Sequence, residues 1–349
     1  MNFITKRKLK IVRDYIIGWT LAFIFLSIVR GVGTIEVSSV QFEFWHSITI
    51  SIVFGLTIGS LSGVAQLIIE EKLYRRISIL KLTLLRLISI IILLALIIVF
   101  AHFIVTTFLG ETKGLVAFAG ESGSFAIYFY IIVVDLFLGF LRQINLMLGE
   151  QNLKKYFLGK FYTPREEERI FMFLDLQSST THAENLGHIK YSKMLQDCFI
   201  DLGVVVENEA EIYQYVGDEV ILTWKLKDGI RANNCINAFY NFKHQLYKKE
   251  AYYLKNYGVL PFFKAGLNSG IVTVTEVGKH KKEIAYHGDT INTAARIQEK
   301  CNTYKQEMLI SQSLKNTLNT NLYTFNKLGS VLLKGKDKEV LIYSIAENK

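Results

Sequence analysis

Two acids in the second half of this 349-residue chain stand where strands end. Residues 169–174, RIFMFL, read as a buried strand that stops at Asp175. A polar turn follows, Gln177, Ser178, Ser179 and Thr180, and Thr181 with Glu184 gives the T-x-x-E pattern of a helix start. A strand end, an acid, a small-residue turn and a helix N-terminus can hold an anion. Backbone N–H groups and the helix dipole favour negative charge, and the acid holds the cation that travels with it. An ordinary polar turn before a helix would look the same. Further on, residues 212–216 and 220–224 read as the arms of a hairpin turned at Gly217 and Asp218. If that hairpin neighbours the first strand, Asp218 comes beside Asp175. Two adjacent carboxylates repel unless a cation neutralises them. Hard oxygen ligands next to an anion site point to Mg²⁺ or Mn²⁺ with a nucleoside triphosphate. By alternation, Glu219 is expected on the opposite face, solvated or ion-paired.

Three later segments add to the set. Residues 262–278, FFKAGLNSGIVTVTEVG, read as a strand with a glycine-rich exit. Residues 285–300, AYHGDTINTAARIQEK, read as a turn and a helix with Asp289 as N-cap. On that helix Asn292 and Arg296 are four apart and share one face. Residues 329–345 read as a hairpin with Lys334 and Lys336 at or beside its turn, a solvated basic turn by default.

The rest of the chain must position these groups. Half of its residues are hydrophobic, and they are distributed unevenly. Four stretches lack Asp, Glu, Lys and Arg or nearly so: residues 15–29, extendable past Arg30, 47–69, 87–107 and 123–141, the last interrupted by Asp135. Each is long enough to approach or complete a bilayer crossing. Basic residues precede the first span (Lys6, Arg7, Lys8, Lys10, Arg13), join the second to the third (Lys72, Arg75, Arg76, Lys81) and follow the fourth (Arg142, Lys154, Lys155). The intervening loops carry almost none, so both termini are expected in the cytoplasm. The net charge of +9 thus marks membrane topology, and no nucleic-acid partner is expected. No row of intramembrane charges suggests a transporter. Asp135 calls for a partner such as Arg30 or His102, or for a ligand- or ion-sensing role. Cys198, Cys235 and Cys301 match no metal spacing and imply no disulfide framework. The expected organisation is a four-helix transmembrane domain over residues 1–141, a helical linker over 142–164 and a catalytic domain over 165–349. The linker would continue the fourth span, as a transducer pairing with its copy or as a passive spacer.

In order and spacing, FLDLQSST, YQYVGDEV, KAGLNSG, HGDTINTAAR and LLKGK resemble the class III nucleotidyl cyclases, the adenylate and guanylate cyclase catalytic domain. The resemblance covers roughly residues 165–349. It implies a ferredoxin-like α/β (βαββαβ) catalytic domain behind the α-helical four-span membrane domain. It also implies a homodimer whose active sites form between two copies. Asp175 and Asp218 would bind two metal ions, with the Leu176 carbonyl also facing metal. The amides of Gln177, Ser178, Ser179 and Thr180, together with Lys334, would hold phosphates. From the partner copy, Asn292 would orient the ribose and Arg296 would stabilise charge on the α-phosphate. Lys264 stands where the family often has a basic residue. Gln214 and Ala285 occupy the two base-reading positions, and both depart from the family's usual residues. The implied reaction is adenylate cyclase chemistry, ATP to cyclic AMP and pyrophosphate by two-metal catalysis. A cyclase using GTP or a pyrimidine nucleotide, or a silent nucleotide-binding membrane receptor, is the alternative. The implied location is the inner (plasma) membrane, facing membrane lipid.

Overall fold

The charge-poor stretches form long helices. In the computed structural model, which describes residues 3–31, 44–72, 78–109, 114–149, 152–319, 323–332 and 339–347, the chain divides into two compact units, Met1–Met147 and Leu148–Lys349. The first contains α1 (Phe3–Gly31), α2 (Phe44–Lys72), α3 (Ile79–Leu109), a short α4 (Leu115–Ala119) and α5 (Ser122–Met147). Of these α1, α2, α3 and α5 are long and apolar enough to cross a membrane. Each extends beyond its charge-free stretch, because basic end turns are as helix-competent as the apolar middle. On α2, Gly55, Gly59 and Gly63 form a small-residue stripe against α1: a Cβ on Gly55 or Gly59 would come within 2.5 and 2.6 Å of the Cα atoms of Thr20 and Ile16. Missing side chains let the two backbones approach, the usual way helices associate without a hydrophobic driving force.

Asp135 is buried and its partner is Arg86, rather than Arg30 or His102: Nε donates to Oδ2 at 2.7 Å and Nη2 to Oδ1 at 3.2 Å. Arg86 lies one residue before the third charge-free stretch. Counting from the first apolar residue places it at the boundary, yet α3 begins seven residues earlier and carries it inward.

The second unit runs α6 (Asn152–Phe157), β1 (Arg165–Leu176), α7 (Ser179–Leu186), α8 (His188–Asp201), β2 (Glu211–Val216), β3 (Glu219–Lys225), α9 (Leu226–Ile230), α10 (Asn234–Lys248), α11 (Glu250–Tyr257), β4 (Phe263–Val277), β5 (Glu283–His287), α12 (Asp289–Tyr304), β6 (Met308–Ser311), α13 (Gln312–Lys315), β7 (Tyr323–Val331) and β8 (Val340–Glu347). The sheet order is β2-β3-β1-β4-β6-β8-β7, with β5 alongside β4. Its first four strands, two on each side of a β1–β3 pairing, give the ferredoxin-like arrangement read from the sequence. The helix expected to run on from α5 is interrupted: α5 ends at Met147, Gly149 takes a φ of +83° and helix resumes at Asn152.

Alternation along β1 serves two layers. Ile170, Met172, Leu174 and Leu176 enter a core with Met194, Phe239, Phe242 and Tyr253 from the helices of one face. Phe171 and Phe173 pack on the other face with Ile221, Val272 and Ala294 of α12. Each such side chain stabilises the fold by about 1.5–3 kcal/mol. Asp175 continues this second row. The approach of α12 depends on Gly266 of β4, where a Cβ would lie 2.5 Å from the Gln298 Cα. Arg169, also in this row, is 1% exposed. It donates to Thr223 Oγ1 (3.0 Å), Glu167 Oε2 (2.9 Å) and Glu211 Oε2 (2.8 Å) and lies 4.8 Å from the centre of the Tyr286 ring. The contacts compensate its burial and pin β1, β2, β3 and β5 together.

Candidate active site

Asp175 and Asp218 meet at the end of β1, and Glu219 stands beside them. Asp175 lies opposite Glu219 in the β1–β3 register, so both side chains point to one face. Asp218 reaches the same place from the hairpin turn, where Gly217 has a φ of +63° that a side chain would resist. The expectation that Glu219 turns away is therefore corrected. Asp218 belongs to the turn, and its direction follows turn dihedrals, so strand alternation cannot be counted from it. Burial, followed by the charge of Asp218, raises the Asp175 carboxyl above the ordinary range, and the Gln298 side chain opposes the shift. Glu219 is pushed up to about 7 by burial, then by Asp175, Asp218 and Glu299. Among the described residues no Lys or Arg pairs with any of the three. Lys264, opposite Asp175 on the β4 side, gives its Nζ to Asn302 Oδ1 at 2.6 Å instead.

This donor set suits a hard divalent cation: oxygen ligands only, like charges uncompensated and partly desolvated. Among the described residues no group of three His, Cys, Asp or Glu side chains is arranged to hold a metal by itself, so two carboxylates would need the Leu176 carbonyl or the bound substrate to complete a shell.

The turn after β1 is tighter than expected. Ser178 adopts a left-handed conformation, φ +57°, and α7 begins at Ser179 with no side-chain cap. The Thr181 and Glu184 capping box does not form, because helix is already under way at Thr181. His182 N–H donates to the Ser178 carbonyl at 3.0 Å, so the amides of Ser179, Thr180 and Thr181 precede the helical ladder. The Gln177 amide donates to the Phe262 carbonyl at 2.8 Å and is not available to an anion. Burial, then the charge of Asp218, raises the Tyr191 phenol of α8 above its ordinary value.

Gln214 shares the carboxylate face by regular alternation from the turn, with Val216 opposite Glu219 and Gln214 opposite Ile221. The β2–β3 register runs Ile212 opposite Leu222, then Gln214 opposite Ile221. Tyr213 is the extra residue of a bulge between Ile212 and Gln214, which resets the alternation of Ile212 and Glu211 behind it. Gln214 is exposed, while Tyr213 packs on Tyr286 with ring centres 5.0 Å apart. Ala285 lies opposite Thr275, one position off the Val274 and Tyr286 pair. On α12, Gly288 precedes the helix and Asp289 is its first residue, not its cap. The buried stripe of α12 holds Thr293, Ala294, Ile297, Gln298 and Cys301; Asn292 is exposed and Arg296 pairs with Glu299. Neither Asn292 nor Arg296 bonds Asp175 or Asp218 among the described residues. Lys334 and Lys336 lie outside the described residues.

Residues 161–347 match the family model of the adenylate and guanylate cyclase catalytic domain. The chain belongs to this cyclase family. It is 29% identical over 208 residues to adenylate cyclase 2 of Rhizobium meliloti (strain 1021), across 59% of this chain and 57% of that protein. It therefore spans little more than half the length of that relative. Over 87 residues it is 29% identical to the terminal-differentiation specific adenylate cyclase of Dictyostelium discoideum, 24% of this chain and 4% of that one. A bacterial light-regulated adenylyl cyclase of known structure superposes with a TM-score of 0.55 at 17% identity, covering 65% of this chain and 67% of its own, a likeness of fold.

Within this cyclase domain three residues were missed by sequence reasoning. Glu219 stands in the carboxylate cluster through a long-range register. Gln298, buried under α12, donates to Asp175 Oδ2 at 3.4 Å. Tyr191 stands within reach of the Asp218 charge. The only local signal was for Gln298: it is two residues beyond Arg296, on the helix face toward the sheet.

Proposed function

We propose that this chain is a membrane-anchored nucleotidyl cyclase that converts ATP to 3′,5′-cyclic AMP and pyrophosphate, working as a homodimer. The observation that carries the reading is the convergence of Asp175 and Asp218 at one strand end in a chain of the cyclase family. Asp175, Asp218 and the Leu176 carbonyl would hold two Mg²⁺ or Mn²⁺ ions. Bound there, divalent metal supplies charge neutralisation on the triphosphate and acidifies the attacking ribose 3′-hydroxyl. The amides of Ser178, Ser179 and Thr180 present N–H groups to the phosphates, with the Gln177 amide now excluded, and Lys334 adds a cation. Asn292 and Arg296 lie off the buried stripe of α12 and bond neither Asp175 nor Asp218 of their own chain, which leaves them for a partner's site. There Asn292 orients the ribose, and Arg296 meets the charge that develops on the α-phosphate, where a fixed guanidinium is most effective. Gln214, with both donor and acceptor, reads the base; Ala285 offers only its backbone. Basic residues flanking α1, α2, α3 and α5 orient the chain with both ends and the catalytic domain in the cytoplasm of an inner (plasma) membrane.

The test is direct. Detergent-solubilised protein is incubated with Mn²⁺ and each of ATP, GTP, CTP and UTP, and products are identified by mass. Cyclic AMP in largest yield is expected, with Asp175→Ala inactive. A different cyclic nucleotide would overturn the choice of ATP, and no cyclic product from any substrate would overturn the enzyme reading.

A further inference from the structure

The membrane-helix unit contains a cavity of about 270 Å³ that the cyclase reading leaves unexplained. Its walls are apolar, from residues such as Leu61 and Ala65 of α2 and Leu93 and Leu96 of α3; its floor is polar, with Ser62, Arg86, Ser89 and Asp135. The floor is tied into all four long helices. Arg86 Nη1 donates to Tyr15 Oη (2.9 Å) and Gln66 Oε1 (2.8 Å), in addition to its two bonds to Asp135. Ser62 Oγ donates to Asp135 Oδ1 at 2.6 Å. Gln66 Nε2 donates to Glu70 at 2.9 Å, and Glu70 is held by Arg142 at 2.7 and 2.8 Å. Gly139 of α5 makes room for the guanidinium, since any side chain there would overlap it.

Arg86 is seven residues into α3 and Asp135 twelve from the end of α5, so the pair lies about 10–18 Å along its helices. A structural ion pair that faces bilayer hydrocarbon needs to be sealed, because lipid offers it no hydrogen bonds. Here Asp135 and Arg86 are buried, 3% and 9% exposed, and the small polar surface they keep forms the bottom of the cavity.

The chemistry of the floor selects the guest. The pairs Arg86 with Asp135 and Arg142 with Glu70 cancel, so an ionised headgroup would bring an uncompensated charge into a low-dielectric site. A carboxylate would also face Asp135, and an ammonium would face Arg86. Four of the five guanidinium N–H groups are engaged, leaving one donor. Ser62 and Ser89 donate their protons to Asp135 and to the Arg86 carbonyl and keep free lone pairs. A group that both donates and accepts, and carries no charge, satisfies this set: a hydroxyl. The volume, near the lower bound of ligand pockets, admits one apolar chain.

We infer that this cavity is a binding site for a single-chain, uncharged amphiphile with a hydroxyl head, drawn laterally from the bilayer, its head on the Arg86 and Asp135 pair and its chain between α2 and α3. The inference rests on the four helices lying in a membrane, which flotation of the protein with vesicles tests separately. The full chain is reconstituted in vesicles of phosphatidylethanolamine and phosphatidylglycerol, three to one, and photolabelled with dodecanol carrying a mid-chain diazirine. Adducts are expected on peptides spanning residues 61–69 and 89–96. Unlabelled dodecanol should compete at least about tenfold better than dodecanoate or dodecane. Ala65→Phe, at a wall residue that makes none of the ion pair's hydrogen bonds, should lower the labelling by about tenfold or more, and Ser89→Leu likewise. Labelling spread evenly over the helices, equal competition by dodecanoate or dodecane, or undiminished labelling of both variants in protein that floats with the vesicles would overturn it.

Discussion

Glu219 shows how a single side chain can report the state of the carboxylate cluster. Its acid is pushed up to about 7 by burial first and by Asp175, Asp218 and Glu299 next, and Asp175 is raised in the same direction. A carboxyl whose folded pKa exceeds its unfolded value, near 4.5 for Glu219, favours the fold below that unfolded value and loses this contribution as pH rises through the folded pKa. Without divalent metal the catalytic unit should therefore weaken as pH rises from about 4.5 to above 7. Glu219→Gln should remove part of the loss, by about 1–2 kcal/mol at pH 8 after allowance for partial exposure. Urea midpoints at pH 5 and pH 8 check it, and the variant should gain at pH 8 only. A midpoint difference independent of pH would show that Glu219 does not feel the other acids. Saturating Mn²⁺ should stabilise the wild type at pH 8, since ligand binding to the folded state adds stability by mass action. At the same scale, Gln214→Lys should shift base preference by about tenfold or more, because one good donor–acceptor pair is worth that much discrimination. Relative kcat/KM for ATP and GTP measures it, and an unchanged ratio would remove Gln214 from the base.

At the scale of elements, what could be read in advance was whatever depends on local pattern. The hairpin at Gly217 and Asp218, the buried strand that carries Asp175 and the long apolar helices all follow from periodicity and turn chemistry within a short window. Glu219 escaped because its place depends on β1 pairing with β3 across more than forty residues of chain. Arg86 escaped because the first uncharged residue marks where the apolar run begins, and the helix begins earlier, at Ile79. The bulge at Tyr213 left no local mark, yet it decides which face Glu211 presents, and Glu211 is a partner of Arg169. Gly266 was visible as part of KAGLNSG but not for its reason, which is the close approach of α12. That reason makes a prediction: Gly266→Ala should destabilise the catalytic unit by about 1–3 kcal/mol, since β4 or α12 must move. The displaced helix carries Asn292, Arg296 and Gln298, so activity should fall further than stability does. Thermal midpoint and kcat measured on the same sample separate the two effects, and an unchanged midpoint would refute the packing argument.

Over the whole molecule the proposed division of labour is between copies. In one chain Asp175 and Asp218 lie at the end of β1 and in the β2–β3 turn, whereas Asn292 and Arg296 are on the outward side of α12 with Arg296 paired to Glu299. If each active site takes its carboxylates from one copy and its Asn and Arg from the other, two inactive chains can repair each other. Asp175→Ala lacks the metal carboxylate, and Arg296→Ala lacks the charge that meets the α-phosphate. A dimer of one with the other holds one site with both defects and one with neither. Random pairing makes half of the dimers mixed, each with one working site of two, so the mixture should recover about one quarter of the wild-type rate. Each variant alone should fall by a factor of about a hundred or more, as expected when a preorganised charge is removed. Co-expression with two different affinity tags and sequential purification isolates the mixed dimer, which should then show about half of the wild-type rate. An isolated mixed dimer as inactive as its parents would place all the groups of a site within one chain and overturn the shared-site reading.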